Sequence, residues 1–178
     1  MRIGIDIDDT ITDTSKIINE YSRKIGKSNM IGNIDFVNLK NESLDDYKSF
    51  LKKYIDEVLD NCPIKDGSIE VINKLKQSGN QIYLITARSN RYSKNIYDIT
   101  VNYLKRNNIV YDELFFDYED KYDICQRLNL DYMIDDNIEV YNSLLGTRVK
   151  PILFEKDCTK DLDLLKVNNW NDILNIIK

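Results

Sequence analysis

Aspartate residues cluster at two places in the sequence where a short apolar run ends. Asp6 and Asp8 follow the first such run, and Asp135 and Asp136 follow a later one. Side chains two residues apart on an extended chain point to the same side. If all four carboxylates come together, their mutual repulsion is costly unless a cation lies among them. Oxygen ligands favour a hard cation, and a site that also binds phosphate favours Mg²⁺.

Two other side chains carry groups that can hold phosphoryl oxygens. Thr86, at the end of an apolar run, offers a hydroxyl, and Lys121, at the predicted start of a helix, offers an ammonium group. A carboxylate can attack phosphorus, and the resulting acyl phosphate can be hydrolysed without a histidine. The sequence contains no histidine, which excludes Ser-His and Cys-His triads and histidine metal sites. These residue types favour phosphoryl transfer through an aspartate.

The bulk composition is that of a soluble globular protein. The 178 residues suggest one domain, and 42% hydrophobic with 31% charged residues is an ordinary balance. The net charge of −5 argues against bulk electrostatic binding of nucleic acid. No apolar run reaches the roughly 18 residues of a membrane span, and we expect no signal peptide, because the first residues enter a predicted strand at once. Three scattered cysteines are typical of a reduced protein, so we expect a cytoplasmic location.

Short apolar runs alternate along the sequence with longer amphipathic segments. This alternation predicts an α/β fold with a doubly wound, Rossmann-like parallel sheet of about five strands. Ligands bind outside the carboxyl ends of such strands, so the polar residues that follow them should share one site. The predicted strands are Ile3–Ile7, Gln81–Ile85, Glu113–Phe116, Asp131–Ile134 and Pro151–Phe154, and helices are predicted at Gly67–Gln77, Ser93–Asn107, Lys121–Leu128, Ile138–Leu145 and Trp170–Ile177.

A long helical segment separates the first strand from the next βα unit. It contains two amphipathic patterns, Thr14–Ile25 and Leu44–Leu59. Because this segment is too long for an ordinary connection, we predict that residues 13–62 form a small helical cap inserted after strand one. The α/β core would then comprise residues 1–12 and 63–178.

Four motifs occur in order at the exits of predicted strands, namely Asp6-x-Asp8-x-Thr10, Thr86, Lys121 and Asp135-Asp136. Together they resemble the ordered motifs of the haloacid dehalogenase (HAD) superfamily over about residues 1–140. The segments Ile-Asp-Ile-Asp-Asp-Thr, Leu-Ile-Thr-Ala-Arg and Met-Ile-Asp-Asp-Asn further resemble the 5′(3′)-deoxyribonucleotidase-like branch. The resemblance implies a phosphoric monoester hydrolase that acts on a small phosphorylated metabolite. Nucleoside (deoxy)monophosphates are the leading substrate class.

The resemblance also implies roles for the aspartates. Asp6 would be the nucleophile, forming an aspartyl-phosphate, and a ligand of Mg²⁺. Asp8 would protonate the leaving oxygen and later deprotonate water, while its main-chain carbonyl binds the metal. One or both of Asp135 and Asp136 would complete the Mg²⁺ shell, and Asp136 is favoured as the direct ligand because related motifs have a Gly-Asp pair there. Asp9 replaces a glycine that is common at its position, which leaves the shape of the local turn open.

The polar residues outside the aspartate clusters carry alternative interpretations. Thr86 and Lys121 would hold the transferred phosphoryl group, although Lys105 and Lys156 are other lysines that could do so. Arg88 could contact the substrate phosphate or form a structural ion pair.

Substrate recognition is expected to come from the predicted cap. Its aromatic residue Phe36 could stack on a nucleobase or belong to the core of the cap. A sugar phosphate or a polynucleotide 3′-phosphate end are other possible substrates.

A phosphoacceptor signalling domain of the receiver type is the alternative from another functional class, since receivers also combine Asp, Thr and Lys with Mg²⁺. Receivers place the phosphorylated aspartate on a central strand and need no cap, whereas here an aspartate cluster opens the chain. The sequence does not indicate an oligomeric state.

Overall fold

The computed structural model of the chain describes residues 1–24, 44–154 and 163–177. Within these residues the strands form one parallel sheet. They are β1 (Arg2–Ile5), β2 (Gln81–Ile85), β3 (Glu113–Phe115), β4 (Tyr132–Asp135), β5 (Lys150–Phe154) and β6 (Lys166–Val167). The six-stranded sheet has the order β3-β2-β1-β4-β5-β6. The first strand therefore lies inside the sheet, between the second and the fourth.

The sheet is buried on both faces. Successive side chains of a strand point to opposite sides, and in β2 Leu84 belongs to one apolar cluster whereas its neighbours Tyr83 and Ile85 belong to the other. A parallel sheet that is covered on both faces needs strands that are apolar throughout. This requirement explains why β1 and β2 read in the sequence as continuous apolar runs.

The helices lie on the two faces of the sheet. In the described part of the chain they are α1 (Thr14–Lys24), α2 (Leu44–Asp60), α3 (Ser68–Gln77), α4 (Ile96–Arg106), α5 (Tyr122–Arg127), α6 (Ile138–Leu144) and α7 (Trp170–Ile176). Side chains from α5 and α6 enter the smaller apolar cluster, and side chains from the other five enter the larger one. Among the described residues, no helix combines the length and the apolar character that crossing a bilayer requires.

Helix α2 packs against α4 as well as against α1. Its buried residues Ile55, Val58 and Leu59 share the apolar cluster of the sheet. Polar contacts reinforce this packing, because Tyr103 Oη donates to the carbonyl oxygen of Cys62 at 2.6 Å, just beyond the end of α2. Arg106 on α4 also pairs with Asp60 at 2.9 Å. The C-terminal half of α2 is therefore packed onto the α/β core. The cap over residues 13–62 stays a prediction, since residues 25–43 lie outside the described ranges.

The predicted fold class is confirmed, with one strand more than expected. The additional strand, β6, contains only two residues and pairs with β5 at the edge of the sheet. Two residues are too few for a periodic pattern, so local sequence gave no signal for it. The first strand ends at Ile5 instead of Ile7, because the chain turns immediately afterwards and the amide of Ile11 donates to the carbonyl oxygen of Ile7 at 2.9 Å.

Candidate active site

The predicted site residues meet at the carboxyl edge, the edge of the sheet where the strands end. Asp6 directly follows β1, and its amide donates to the carbonyl oxygen of Ile134 in the neighbouring strand β4 at 2.9 Å. Asp135 ends β4. Because β1 and β4 are adjacent and parallel, the two aspartate clusters, which are far apart in sequence, come together as expected.

Lys121 lies between two of the aspartates. Its Nζ donates to Asp6 Oδ1 at 2.5 Å and to Asp135 Oδ2 at 2.6 Å, and only 4% of its side chain is exposed. Burial alone would lower the pKa of Lys121, but the carboxylates of Asp135 and Asp6 reverse this effect and raise it. The lysine is therefore a fixed positive charge. Of the other two lysines considered, Lys105 is exposed on α4 and Lys156 lies outside the described residues.

Three carboxylates lie close together, and two of them contact this lysine. Oxygen atoms of Asp6, Asp135 and Asp136 all lie within 4.8 Å of one another. Burial raises the pKa of Asp6 well above its usual value, and Asp135, Asp136 and Asp8 raise it further against the opposing effect of Lys121. One ammonium group thus does not balance the negative charge. This set of oxygen donors fits a hard divalent cation such as Mg²⁺.

The helix that follows β4 fixes the orientation of Asp135. Asn137 is the N-cap of α6, and its side chain accepts a hydrogen bond from the amide of Glu139 at 2.8 Å. The amide of Asn137 in turn donates to Asp135 Oδ1 at 2.9 Å. Both oxygens of Asp135 therefore have a donor, one from Lys121 and one from the backbone. Asp136, the favoured direct ligand, is half-buried beside it.

The carboxylate of Asp8 has partners of its own and does not belong to the three-carboxylate group. Arg88 donates to both of its oxygens, from Nε at 2.9 Å and from Nη2 at 2.8 Å, and Thr14 Oγ1 donates at 2.7 Å. Burial alone would raise the pKa of Asp8, but Arg88 and Thr14 more than offset it and hold this pKa below its usual value. If Asp8 takes part in a metal site, its main-chain carbonyl would therefore be the ligand, as the family resemblance implies.

Thr86 is fully buried in the turn that follows β2. Its amide donates to the carbonyl oxygen of Phe115 at 2.9 Å, and its own carbonyl accepts from the amide of Tyr118 at 3.0 Å. Its Oγ1 accepts from the amide of Arg88 at 3.2 Å. The backbone of Thr86 is thus held by the last residue of β3 and by the segment after β3, which also leads to Lys121.

The conformation of Asp9 shows the shape of the turn, which the sequence had left open. Its φ angle is 56°, in the left-handed region that glycine adopts most easily and that aspartate tolerates better than most residues. Its carboxylate also accepts a hydrogen bond from the amide of Ser15 at 2.8 Å, near the start of α1. Asp9 can therefore take the place of a glycine because its side chain stabilises the same turn. Phe36, the candidate for base stacking, lies outside the described residues.

The chain is similar to proteins that are named as nucleotidases. No family model matches the chain. The chain is 27% identical over 187 residues to a protein of Oceanobacillus iheyensis named "Putative nucleotidase", covering 98% of this chain and 97% of that protein. A Bacillus cereus protein of the same name is 24% identical over 192 residues, covering 100% of this chain and 98% of the other.

A solved structure shows the same fold with bound metal. The "putative HAD-hydrolase YfnB" of Bacillus subtilis, bound to magnesium, superposes with a TM-score of 0.68 at 12% identity, covering 99% of this chain and 98% of the other. At this identity the likeness concerns the fold alone. The chain therefore has the fold of the HAD-superfamily hydrolases, and the residues that resemble their four motifs lie together at one edge of its sheet.

Proposed function

We propose that this protein is a magnesium-dependent phosphomonoester hydrolase that acts through an aspartyl-phosphate on Asp6. One observation carries the proposal, namely that Asp6 is buried within a group of three carboxylates, two of which, Asp6 and Asp135, share Lys121. Such crowding costs free energy and is common where a protein binds a cation or performs acid–base or nucleophilic chemistry. The likeness to proteins named as nucleotidases and to a HAD-type hydrolase supports the same reading.

In the proposed mechanism Asp6 is the nucleophile. In the first step a carboxylate oxygen of Asp6 would attack phosphorus, the bond from phosphorus to the ester oxygen would break, and Asp8 would protonate the leaving oxygen. In the second step Asp8 would take a proton from water, the water oxygen would attack phosphorus, and Asp6 would leave as a carboxylate. The products are an alcohol and inorganic phosphate.

The other residues of the site would bind the phosphoryl group and balance its charge. Lys121 contacts Asp6 at 2.5 Å, so its ammonium group would be near a phosphoryl group transferred to Asp6 and would stabilise the negative charge on its oxygens. The Thr86 hydroxyl would donate to another of these oxygens. Asp6, Asp135 and Asp136 would hold Mg²⁺, which would neutralise charge on the phosphoryl group when bound.

Nucleoside monophosphates are the proposed substrate class. The relatives that span the chain from end to end are named as nucleotidases, and the motif segments resemble the deoxyribonucleotidase-like branch. Sugar phosphates and polynucleotide 3′-phosphate ends are the competing substrates, and a receiver-type phosphoacceptor is the competing function.

A panel of phosphate esters with added Mg²⁺ tests the proposal. We expect many turnovers of p-nitrophenyl phosphate, and a higher kcat/KM for dUMP or dTMP than for glucose 6-phosphate. A single phosphorylation without turnover would indicate a receiver, and better hydrolysis of sugar phosphates would remove the nucleotidase assignment. Phe36→Ala should weaken nucleotide hydrolysis and spare p-nitrophenyl phosphate, because only the former can use base stacking, which contributes roughly 1–3 kcal/mol per base.

A further inference from the structure

The environment of Arg88 differs from that of a substrate-binding arginine. Its guanidinium is buried, with only 2% of the side chain exposed. Nε and Nη2 form a bidentate pair with Asp8, and Nη1 donates to Thr100 Oγ1 at 3.0 Å. All three nitrogen atoms thus have protein acceptors, which leaves the guanidinium poorly placed to bind a phosphate from solvent.

Arg88 is also held by a residue of α4. Thr100 lies on α4, where its hydroxyl donates to the carbonyl oxygen of Ile96 at 2.7 Å and accepts from Arg88. The arginine is therefore anchored to a helix of the core at one nitrogen and holds Asp8 with the other two. A planar guanidinium fixes a carboxylate in both distance and angle, which a lysine does not.

Asp8 is held from a third element as well. Thr14 on α1 donates to Asp8 Oδ1, the same oxygen that accepts from Arg88 Nη2. The Thr14 hydroxyl lies 2.8 Å from that of Thr12 and 3.2 Å from Cys62 Sγ, so it belongs to a buried polar network. The acid–base carboxylate is thus held directly by Arg88 and Thr14, and indirectly by Thr100 through Arg88.

We propose that Arg88 is a positioning residue for Asp8 and does not bind the substrate phosphate. This inference rests on the proposed function, in which Asp8 protonates the leaving oxygen. Arg88 keeps the carboxylate of Asp8 out of the Asp6, Asp135 and Asp136 group and presents it in one orientation. A positioned acid contributes most where the leaving oxygen is strongly basic, so the contribution of Arg88 should depend on the leaving group.

Two esters of similar size separate positioning from phosphate binding. Phenyl phosphate has a more basic leaving oxygen than p-nitrophenyl phosphate, and kcat/KM for both reports the transfer to Asp6. For Arg88→Met with saturating Mg²⁺, we expect kcat/KM for phenyl phosphate to fall by about 10- to 100-fold, a part of what a general acid contributes. The value for p-nitrophenyl phosphate should fall by only a few-fold.

Two further variants support the measurement. Arg88→Lys retains the charge without the bidentate contact, so it should show the same substrate dependence to a smaller degree, and it provides the readout if the methionine variant does not fold. In an Asp8→Asn background, Arg88→Met should cause no further loss on phenyl phosphate, because the residue through which it acts is already gone. Arg106→Met is the matched control, since this arginine of α4 pairs with Asp60 at the surface.

The outcomes distinguish this inference from the proposed function. An equal loss on both esters through a raised KM would indicate a phosphate contact and overturn the inference. Unchanged kinetics with a lowered melting temperature would indicate that the Arg88–Asp8 pair is purely structural. Faster turnover would indicate that Arg88 restrains Asp8. Either result would also overturn the inference. A wild-type protein that hydrolyses neither ester would contradict the phosphatase proposal and this inference with it.

Discussion

The two edges of the sheet use aspartate in opposite ways. At the amino edge, where the strands begin, Asp112 accepts from the amide of Ile82 at 2.7 Å and pairs with Lys76 at 2.6 Å. Asp131 likewise accepts from the amide of Arg2 at 2.8 Å. Burial tends to raise the pKa of Asp112, but Lys76 and the Ile82 amide reverse this and lower it. The hydrogen bond from the Arg2 amide lowers the pKa of Asp131.

At the carboxyl edge the same residue type is crowded and buried. Asp6 and Asp135 share one lysine, and Asp136 lies within reach of both. Burial raises the pKa of Asp6, whereas the amino-edge aspartates have lowered pKa values. The two amino-edge carboxylates therefore satisfy strand ends, while the group of Asp6, Asp135 and Asp136 at the carboxyl edge concentrates negative charge, as the proposed function requires. The following variants test this contrast.

Replacing the proposed nucleophile should have the largest effect. Asp6→Asn cannot form an acyl phosphate, so we expect turnover of p-nitrophenyl phosphate to fall by more than about 100-fold. The melting temperature of the metal-free protein should not fall, because the change removes one of the crowded charges. A variant with wild-type stability and more than a few per cent of the activity would contradict the nucleophile assignment. Asp98→Asn, on the exposed surface of α4, is the matched control.

Magnesium should act at the carboxyl edge alone. EDTA should abolish activity and added Mg²⁺ should restore it, since three crowded carboxylates need a cation. Mg²⁺ should also raise the melting temperature by linkage, which amounts to about 2.7 kcal/mol at 100 times the Kd. Asp136→Asn should raise the Mg²⁺ concentration needed for half-maximal activity and reduce this thermal shift, whereas Asp131→Asn should change neither. Full activity after EDTA treatment would show that no metal is needed.

The two lysines provide the sharpest stability comparison. Lys121→Met leaves the buried carboxylates of Asp6 and Asp135 without their shared cation, which should cost about 3–5 kcal/mol of unfolding free energy without metal. Lys76→Met removes a partner of the half-exposed Asp112 and should cost less than about 1 kcal/mol. Urea unfolding in EDTA would measure both values. Equal losses would show that the two edges do not differ in the way that their pKa shifts indicate.

The smallest expected effect concerns Asp112 and its dependence on pH. Because folding lowers the pKa of Asp112, its ionised form stabilises the folded state above its unfolded pKa of about 4. This stabilisation is lost as the pH falls through the lower, folded pKa. Asp112→Asn should therefore reduce the unfolding free energy by about 1 kcal/mol at pH 7 and by progressively less below pH 4. A loss that is constant over this range would assign the effect to packing.

Local sequence patterns were sufficient for most of the fold. Apolar runs and helical periodicity placed β2 at Gln81–Ile85 and the start of α7 at Trp170, as observed. The position of polar residues directly after the apolar runs also placed Asp6 and Asp135 at one edge. These inferences succeed because burial on both faces of a parallel sheet leaves a continuous apolar signal in each strand.

Such local patterns did not predict the contacts between segments that are distant in sequence. Thr14 lies at a helix start, where a threonine suggests a cap, yet its hydroxyl donates to Asp8. Arg88 pairs with Asp8 across 80 residues of sequence, and Lys121 reaches Asp6 across 115. The sequence indicated Arg88, Asp8, Lys121 and Asp6 as candidates but left the partners of Arg88 open.

By itself, then, the sequence determined which residue types stand at the strand ends and hence the chemistry available there. The tertiary structure decided which carboxylates share a charge and which are held apart. The physical reason is that periodicity records which face of an element is buried, whereas an ion pair depends on how closely two separate elements approach and on how deeply the groups are buried. Asp8 and Asp6 are two residues apart, yet burial and the neighbouring carboxylates raise the pKa of Asp6 in spite of Lys121, whereas the burial of Asp8 is outweighed by the hydrogen bonds from Arg88 and Thr14, which lower its pKa.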